Sequence, residues 1–462
     1  GVFLWPRELM VARVVMLAKS AEQPTCPLKI RPITITSRLY RNWSRYRSMQ
    51  IIQHVRQFIP PHVAGCAAGI GSDMLAATIM LEVEKALLCS TPRLGLTVDL
   101  IKCFNLIPRI PVIAAMRRMG IPHQYLVALQ GMFSQLRRVL ELGGEIGPEL
   151  ASTTGVPEGC AMSIVAMTAL SAWAASILQC TDDYSNTLCI AYADNWGFLA
   201  DTIGQLQTGL DKLHQFICAL KMKIAPDKSW SWATHAKQRA QLQPLSLDGQ
   251  SVPIRHVANE LGCDVSYCKR VSKAVTKTRL QKTVRVLHRV SARKLPRVFK
   301  TRMTKQLVTG VAGYGSELVY HTPSDLRTLR SAACKAIGRS RAGNNPYLAM
   351  HVSEGLEDIA LSLLIRKVMF WRRYFRSFPT IKSAFLQALV TGQHRNGATA
   401  FLRRTFLDHG WTCHHGGLIV HHRGWKMSWT TASRHHMRKL FSLSWSAMVC
   451  SHVSHRTGFR SE

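Results

Sequence analysis

Two short apolar runs, each carrying an aspartate near its end, constrain this chain more than any other feature. Leu94 to Leu100 has the length and residue types of a buried strand, with Asp99 near its tip. Thr187 to Ala193 reads as a second buried strand, broken by Asp194-Asn195 and resumed over Trp196–Ala200, the pattern of a hairpin with a polar tip. An unpaired carboxylate is costly to bury, so an aspartate in such a place pairs, caps a turn or holds a metal. Two such tips on adjacent strands make a platform for two divalent ions ~3.5–4 Å apart, which activate an attacking hydroxyl and stabilise a pyrophosphate leaving group. Taken singly, either aspartate is better read as the cap of a neighbouring turn. Asp182-Asp183, in a polar loop after a long apolar segment, reads as a solvated pair.

Charge narrows the partners. The 462 residues carry 60 Lys and Arg against 26 Asp and Glu, a net of +34, which is self-repelling unless a polyanion neutralises it. The excess is uneven: residues 271–462 hold 33 basic and 7 acidic residues, and no acidic residue lies between Asp264 and Glu317. A merely solvated basic face would bring compensating carboxylates, so nucleic acid is the expected partner and no membrane association is expected. With 47% hydrophobic and 19% charged residues the chain is globular rather than disordered.

The 13 cysteines run from Cys26 to Cys450 without paired spacing, which reads as free thiols in a reducing compartment, nuclear or otherwise intracellular. No signal peptide is visible, and the opening at Gly1 without a starting Met reads as a fragment. Ala161 to Leu178 is free of charge and at the lower edge of membrane-span length, but its Ala, Ser, Thr and Met content suits a tightly packed core helix.

Along the chain, residues 1–60 predict a helix, a loop over Glu22–Pro27, a strand over Lys29–Thr36 and a helix from Ser37. An amphipathic helix is expected over Leu75–Leu88, helices near Pro111–Met119 and Gln124–Leu136, and a hairpin about Gly143-Gly144. A helix over Gln205–Leu220 and a strand over Leu261–Tyr267 follow, then helices from Lys269 to about Phe375. The stretch from Gln393, rich in His, Trp and Arg, resists assignment.

Several phrases recur in a telling order: Lys29-Ile30-Arg31-Pro32-Ile33, Thr97-Val98-Asp99-Leu100-Ile101-Lys102-Cys103-Phe104-Asn105, Gly155-Val156-Pro157-Glu158-Gly159-Cys160, Tyr192-Ala193-Asp194-Asn195, Pro226-Asp227-Lys228 and Leu261-Gly262-Cys263. This order resembles the fingers motif and the successive palm motifs of reverse transcriptases. Gly65 to Lys85, with Gly69 and Asp73, is similar to the extra segment of non-LTR retrotransposon and group II intron enzymes, and Tyr314-Gly315-Ser316-Glu317 to a thumb phrase of the same elements. The resemblance spans about Pro6 to Ser340; any one phrase is weak, the ordered set is specific.

The resemblance implies an α/β (α+β) right-hand polymerase fold: fingers and palm with an antiparallel sheet over 1–268, a basic helical thumb over 269–345, and a basic His- and Trp-rich region over 346–462. It implies an RNA-directed DNA polymerase that takes an RNA template, a DNA primer and deoxynucleoside triphosphates, with Mg²⁺ as cofactor and Mn²⁺ as the alternative ion. Asp99 and Asp194 would hold the metals, with Asn195 beside them. Arg31 would contact the incoming triphosphate, a task its charged fork suits, or be an ordinary turn-flanking arginine. Phe104, five residues after Asp99, would block a ribose 2′-hydroxyl or belong to the core. Gly155 and Gly159 would let backbone approach the template base pair. Lys228 would protonate departing pyrophosphate, or be a solvated loop lysine.

Three departures bear on activity. Asn195 stands where the family has a second aspartate, Glu158 replaces its glutamine, and Asn105 replaces a common aspartate. Losing a carboxylate lowers metal affinity, so a catalytically inactive, RNA-binding descendant is the second reading; an RNA-copying RNA polymerase is a third, opposed by Phe104. No endonuclease is visible. Cys413, His414, His415, His421, His422, His435 and His436 are candidate zinc ligands, although adjacent His pairs rarely converge and no second Cys has knuckle spacing. The tryptophans and arginines of that half are alternatively RNA-stacking and cradling groups.

Overall fold

The computed structural model describes residues 3–18, 30–65, 69–179, 187–242, 245–247, 250–338, 346–351, 356–393 and 396–457. It divides into two compact units, Gly1–Leu75 with Pro92–Arg255, and Ala76–Thr91 with His256–Glu462. Glu22–Pro27, Lys29 and Asp182-Asp183 lie outside the described residues.

The first unit is mixed α/β. In chain order it contains β1 (Val11–Ala18), β2 (Ile30–Ile35), α1 (Arg38–Val55), β3 (Val63–Ala64), the start of α2 (Ser72–Leu88), β4 (Leu94–Asp99), α3 (Cys103–Leu106), α4 (Arg109–Arg118), α5 (His123–Gln135), β5 (Arg137–Leu142), β6 (Glu145–Ala151), α6 (Ala161–Gln179), β7 (Leu188–Tyr192), β8 (Asn195–Ala200), α7 (Ile203–Ala219), β9 (Trp230–Ala233), α8 (Ala236–Gln241), β10 (Ser246–Leu247) and β11 (Gln250–Ser251). Five strands form the main sheet in the order β3-β7-β8-β4-β9, antiparallel throughout except for β3 with β7. A second sheet runs β2-β1-β5-β6.

Within the N-terminal stretch expected as helix, Val11–Ala18 is instead the strand β1. Val11, Val14 and Val15 are β-branched, Ala12 and Val14 alternate into the core, and β2 and β5 flank the strand to satisfy its backbone on both sides. The charge-free segment is α6, a core helix: its apolar window is 72% buried, and its small residues let α1, α4 and α7 pack against it. Leu96, Val98, Trp196 and Phe198 of the central strands share this core.

The second unit holds the rest of α2, a hairpin of β12 (Val257–Glu260) and β13 (Cys263–Ser266), α9 (Ala274–Ala292), α10 (Arg297–Gln306), α11 (Pro323–Ala336), α12 (Pro346–His351), α13 (Ile359–Ser377), α14 (Lys382–Thr391), α15 (Ala398–Asp408), β14 (Trp411–Cys413), β15 (Leu418–His421), β16 (Lys426–Ser428) and α16 (Arg434–Thr457). The strand expected over Leu261–Tyr267 is shorter, because Leu261 and Gly262 take φ of +52° and +84° and make the two-residue turn between β12 and β13. The unassigned C-terminal stretch folds as α15, the antiparallel sheet β14-β15-β16, and α16. Trp411 and Trp429 of this stretch are core rather than RNA-stacking groups, both fully buried with Phe406 and Phe441 packed around them, whereas Trp425 is half-buried.

Candidate active site

Asp99 ends β4, and the antiparallel register places it directly opposite Asn195, the first residue of β8. Asp194 occupies the β7–β8 turn, where Ala193 takes a φ of +53°, and its carbonyl accepts from the Leu100 amide at 3.3 Å. The two predicted metal ligands and the asparagine beside them thus converge at one end of adjacent central strands. The sequence explains the placement: both strands are continuous buried runs in which the only polar residues are Thr97 and the tips Asp99 and Asn195.

Lys228 enters from the turn Pro226–Lys228 that precedes β9. Its Nζ donates to Asp99 Oδ2 at 2.9 Å, with the Asp99 side chain 19% and the Lys228 side chain 63% exposed. The Asp99 carbonyl accepts from the Ala225 amide at 2.8 Å, fixing this turn against β4. The bond to Asp99 raises the Lys228 pKa above the usual lysine range, so the ammonium is held charged. Burial raises the Asp194 pKa and the Asp99 charge adds to it, while Lys228 and Arg31 pull it back. Burial and the same two carboxylates raise the pKa of the nearby Cys103 thiol. Arg31, exposed on β2, also pulls down the Glu158 carboxyl, so its charge acts on both acidic groups.

The glycine loop docks onto the segment that follows Asp99. Val156 donates to the Phe104 carbonyl at 2.7 Å and Gly155 to the Ile107 carbonyl at 3.1 Å. Gly155 has a φ of +73°, and a Cβ there would sit 2.4 Å from the Asn105 carbonyl oxygen, so only glycine fits. Gly159, at φ +83°, has open space where a side chain would stand. Phe104 is partly buried and packs against the core of the first unit, while the Asn105 amide donates to Glu158 Oε1 at 2.8 Å.

Arg109 is the residue that sequence reasoning missed. Its guanidinium donates to the carbonyls of Gly155 at 2.8 Å, Phe133 at 2.5 Å, Ser152 at 2.6 Å and Thr154 at 3.1 Å, clamping the loop that holds Gly155. Burial, with the nearby Arg138 charge, lowers its pKa to about 10. A lone arginine directly after Pro108, at the start of an apolar helix, was the available signal.

The donor set fits a divalent cation. Asp194 is half-buried beside a second carboxylate whose charge raises its pKa, and a cation relieves that repulsion; Asn195 brings an amide oxygen but no charge. Among the described residues no group of three His, Cys, Asp or Glu side chains converges for a metal, at the strand tips or around Cys413. His421 instead stacks on Trp425, with ring centroids 4.9 Å apart.

The chain is similar to telomerase from Candida tropicalis truncated from its C-terminal domain (10% identity, TM-score 0.41, covering 58% of this chain and 55% of that one). It is also similar to C. tropicalis telomerase in complex with the TWJ fragment of telomeric RNA (10% identity, TM-score 0.45, covering 86% of this chain and 64% of that one). The chain therefore spans less than two thirds of the length of these two structures. No curated protein matches it. Residues 19–246 match the family model described as reverse transcriptase (RNA-dependent DNA polymerase).

Proposed function

We propose that the chain is the polymerase core of a non-LTR retroelement reverse transcriptase, which extends a DNA primer along an RNA template with deoxynucleoside triphosphates. The observation that carries this reading is the convergence of Asp99, Asp194 and Asn195 at the tips of two paired strands, faced by Lys228 and Arg31. Residues 1–268 would be fingers and palm, 269–345 the thumb and 346–462 a basic C-terminal region. The segment Gly65–Lys85 and the phrase Tyr314–Glu317 support the non-LTR assignment within reverse transcriptases.

Asp99 and Asp194 would hold Mg²⁺ or Mn²⁺, with the Asn195 amide as a weaker third ligand. Bound there, the metal supplies Lewis-acid activation and charge neutralisation. Arg31 binds the triphosphate of the incoming nucleotide. Lys228, kept protonated by Asp99, is placed to give a proton to the leaving pyrophosphate. Gly155 and Gly159 leave room for the template base pair, and Phe104 crowds the sugar.

The neutral Asn195 and the Lys228–Asp99 ion pair favour one second reading, an RNA-binding descendant without turnover. Primer extension on an RNA template, with deoxy- and ribonucleotides in parallel, separates the two. Extension abolished by Asp194→Ala supports the polymerase. No extension by the unaltered chain with either metal supports the descendant, and extension undiminished in Asp194→Ala refutes the site.

A further inference from the structure

A cavity of about 740 Å³ in the second unit is lined by Lys305, Arg366, Arg373, Arg376, Arg434 and Arg438. Helical spacing brings these side chains together. On α13, positions 366, 373 and 376 stand at i, i+7 and i+10 and share one face; on α16, positions 434 and 438 stand at i and i+4. Lys305 comes from the last turn of α10. A solvated helix face would spread such residues over a convex surface, whereas these border one concavity.

Two carboxylates line the same cavity, and each is already engaged. Glu317, buried, accepts from the Arg366 Nε, and Arg366 Nη1 donates to the Thr309 carbonyl at 2.9 Å. Glu357 accepts from the Ser362 hydroxyl at 2.7 Å. Among the described residues no ion pair involves Lys305, Arg376, Arg434 or Arg438. Between the cations lie apolar side chains, with Leu363, Ile365 and Phe370 buried and the Arg373 guanidinium 5.9 Å from the centre of the Phe370 ring. A cleft of one charge sign on a low-dielectric floor concentrates positive potential, and an anion relieves the repulsion among its walls. Its volume falls within the ~300–1,000 Å³ of ordinary ligand sites.

We propose that this cavity binds closely spaced phosphates. Guanidinium forks take phosphate oxygens in pairs, and so many of them around one concavity match several phosphates held a few ångströms apart. Two sources offer that chemistry, successive phosphates of an RNA strand and a compact polyphosphate. The proposal does not depend on polymerase activity, because every lining residue belongs to the second unit.

The test uses the full chain and two probes, a short single-stranded RNA and inositol hexakisphosphate, titrated against the unaltered protein and the triple variant Arg376→Ala/Arg434→Ala/Arg438→Ala. The control is Arg285→Ala/Arg289→Ala/Arg302→Ala, an equal loss of charge at exposed positions outside the cavity. The cavity variant is expected to bind at least one probe ~10-fold or more weakly than the control does. If RNA is the occupant, its log–log salt slope falls by about 2, the share of three phosphate contacts to a single strand. A loss confined to inositol hexakisphosphate assigns the site to a compact polyphosphate. Equal affinities in the two triple variants, for both probes, overturn the proposal. Should the cavity variant not fold, phenylglyoxal modification of the unaltered chain read by mass spectrometry decides: saturating probe must shield Arg376, Arg434 and Arg438 more than Arg285 and Arg289, and equal shielding overturns the site.

Discussion

The side-chain amide of Asn105 donates to Glu158 Oε1 at 2.8 Å, so two of the positions that depart from the reverse transcriptase pattern are bonded to each other. An aspartate at 105 and a glutamine at 158 would make the same bond with donor and acceptor exchanged. The pair still holds one amide and one carboxylate, and the negative charge has moved from the residue near Asp99 to the glycine loop. Burial raises the Glu158 pKa and the Asp194 charge adds to it; the Asn105 amide, Arg31 and Arg138 pull it back without cancelling the rise.

This exchange predicts strong coupling between the two sites. Asn105→Asp alone sets two carboxylates against each other, and Glu158→Gln alone removes the charge that faces Arg31 and Arg138. In the double variant an Asp–Gln bond replaces the Asn–Glu bond. A thermal-unfolding double-mutant cycle is expected to give a coupling of about 1–2 kcal/mol, with the double variant more stable than Asn105→Asp. Additive effects would mean that the bond contributes nothing.

The strand tips give a second prediction. Asn195 faces Asp99 across the β4–β8 ladder and brings an amide oxygen where a carboxylate would add charge for a hard cation. Weak extension with Mg²⁺ and a relative gain with Mn²⁺ are expected, since Mn²⁺ accepts mixed ligands more readily. Asn195→Asp should raise Mg²⁺-supported extension. An active unaltered enzyme that gains nothing from Asn195→Asp would show that the third ligand does not limit it.

Arg109 gives the third. Its guanidinium meets carbonyls of Phe133, Ser152, Thr154 and Gly155, and Arg109→Ala leaves several of them without a donor. The expected cost is about 3 kcal/mol, because each buried unpaired carbonyl costs about 1–3 kcal/mol and some will find water. Arg109→Lys should recover only part of it, since one ammonium cannot span the set. Chemical denaturation measures both, and a cost below ~1 kcal/mol for Arg109→Ala would show that the loop holds itself.

Much of the candidate site was legible because it is local. Asp99 and Asp194 interrupt apolar strands, Gly155 sits in a loop that only glycine can close, and the hairpin about Gly143-Gly144 joins β5 to β6 where its turn residues place it. What escaped reading depends on distant partners. Val11–Ala18 takes its strand form from ladders to β2 and to β5, more than a hundred residues away, and its β-branched valines are only a weak local signal. The Asn105–Glu158 bond spans 53 residues, and the arginines of the basic cavity are scattered from α13 to α16. The buried tryptophans were misread for a related reason: composition registers aromatic and basic residues together, and only packing tells which of them face inward.

The last prediction concerns Lys367, a fully buried lysine on α13. Its Nζ donates to the Val319 carbonyl at 2.6 Å and the Thr405 hydroxyl at 3.0 Å, with no carboxylate among these partners. Burial lowers its pKa to about 7, against an ordinary lysine value of 10.5; the Glu317 and Asp408 charges limit the fall and Lys273 adds to it. Between those two values the unfolded chain binds a proton that the folded chain does not, so this lysine makes stability rise with pH from about 7 to 10.5. One such proton contributes at most about 1.4 kcal/mol per pH unit. The other lysines of a strongly basic chain also relieve repulsion as they lose charge, so the informative quantity is the difference between proteins. The thermal midpoint of the unaltered chain should climb more steeply over this range than that of Lys367→Met, which has nothing to titrate at this position. Parallel curves would mean that Lys367 stays charged in the folded protein.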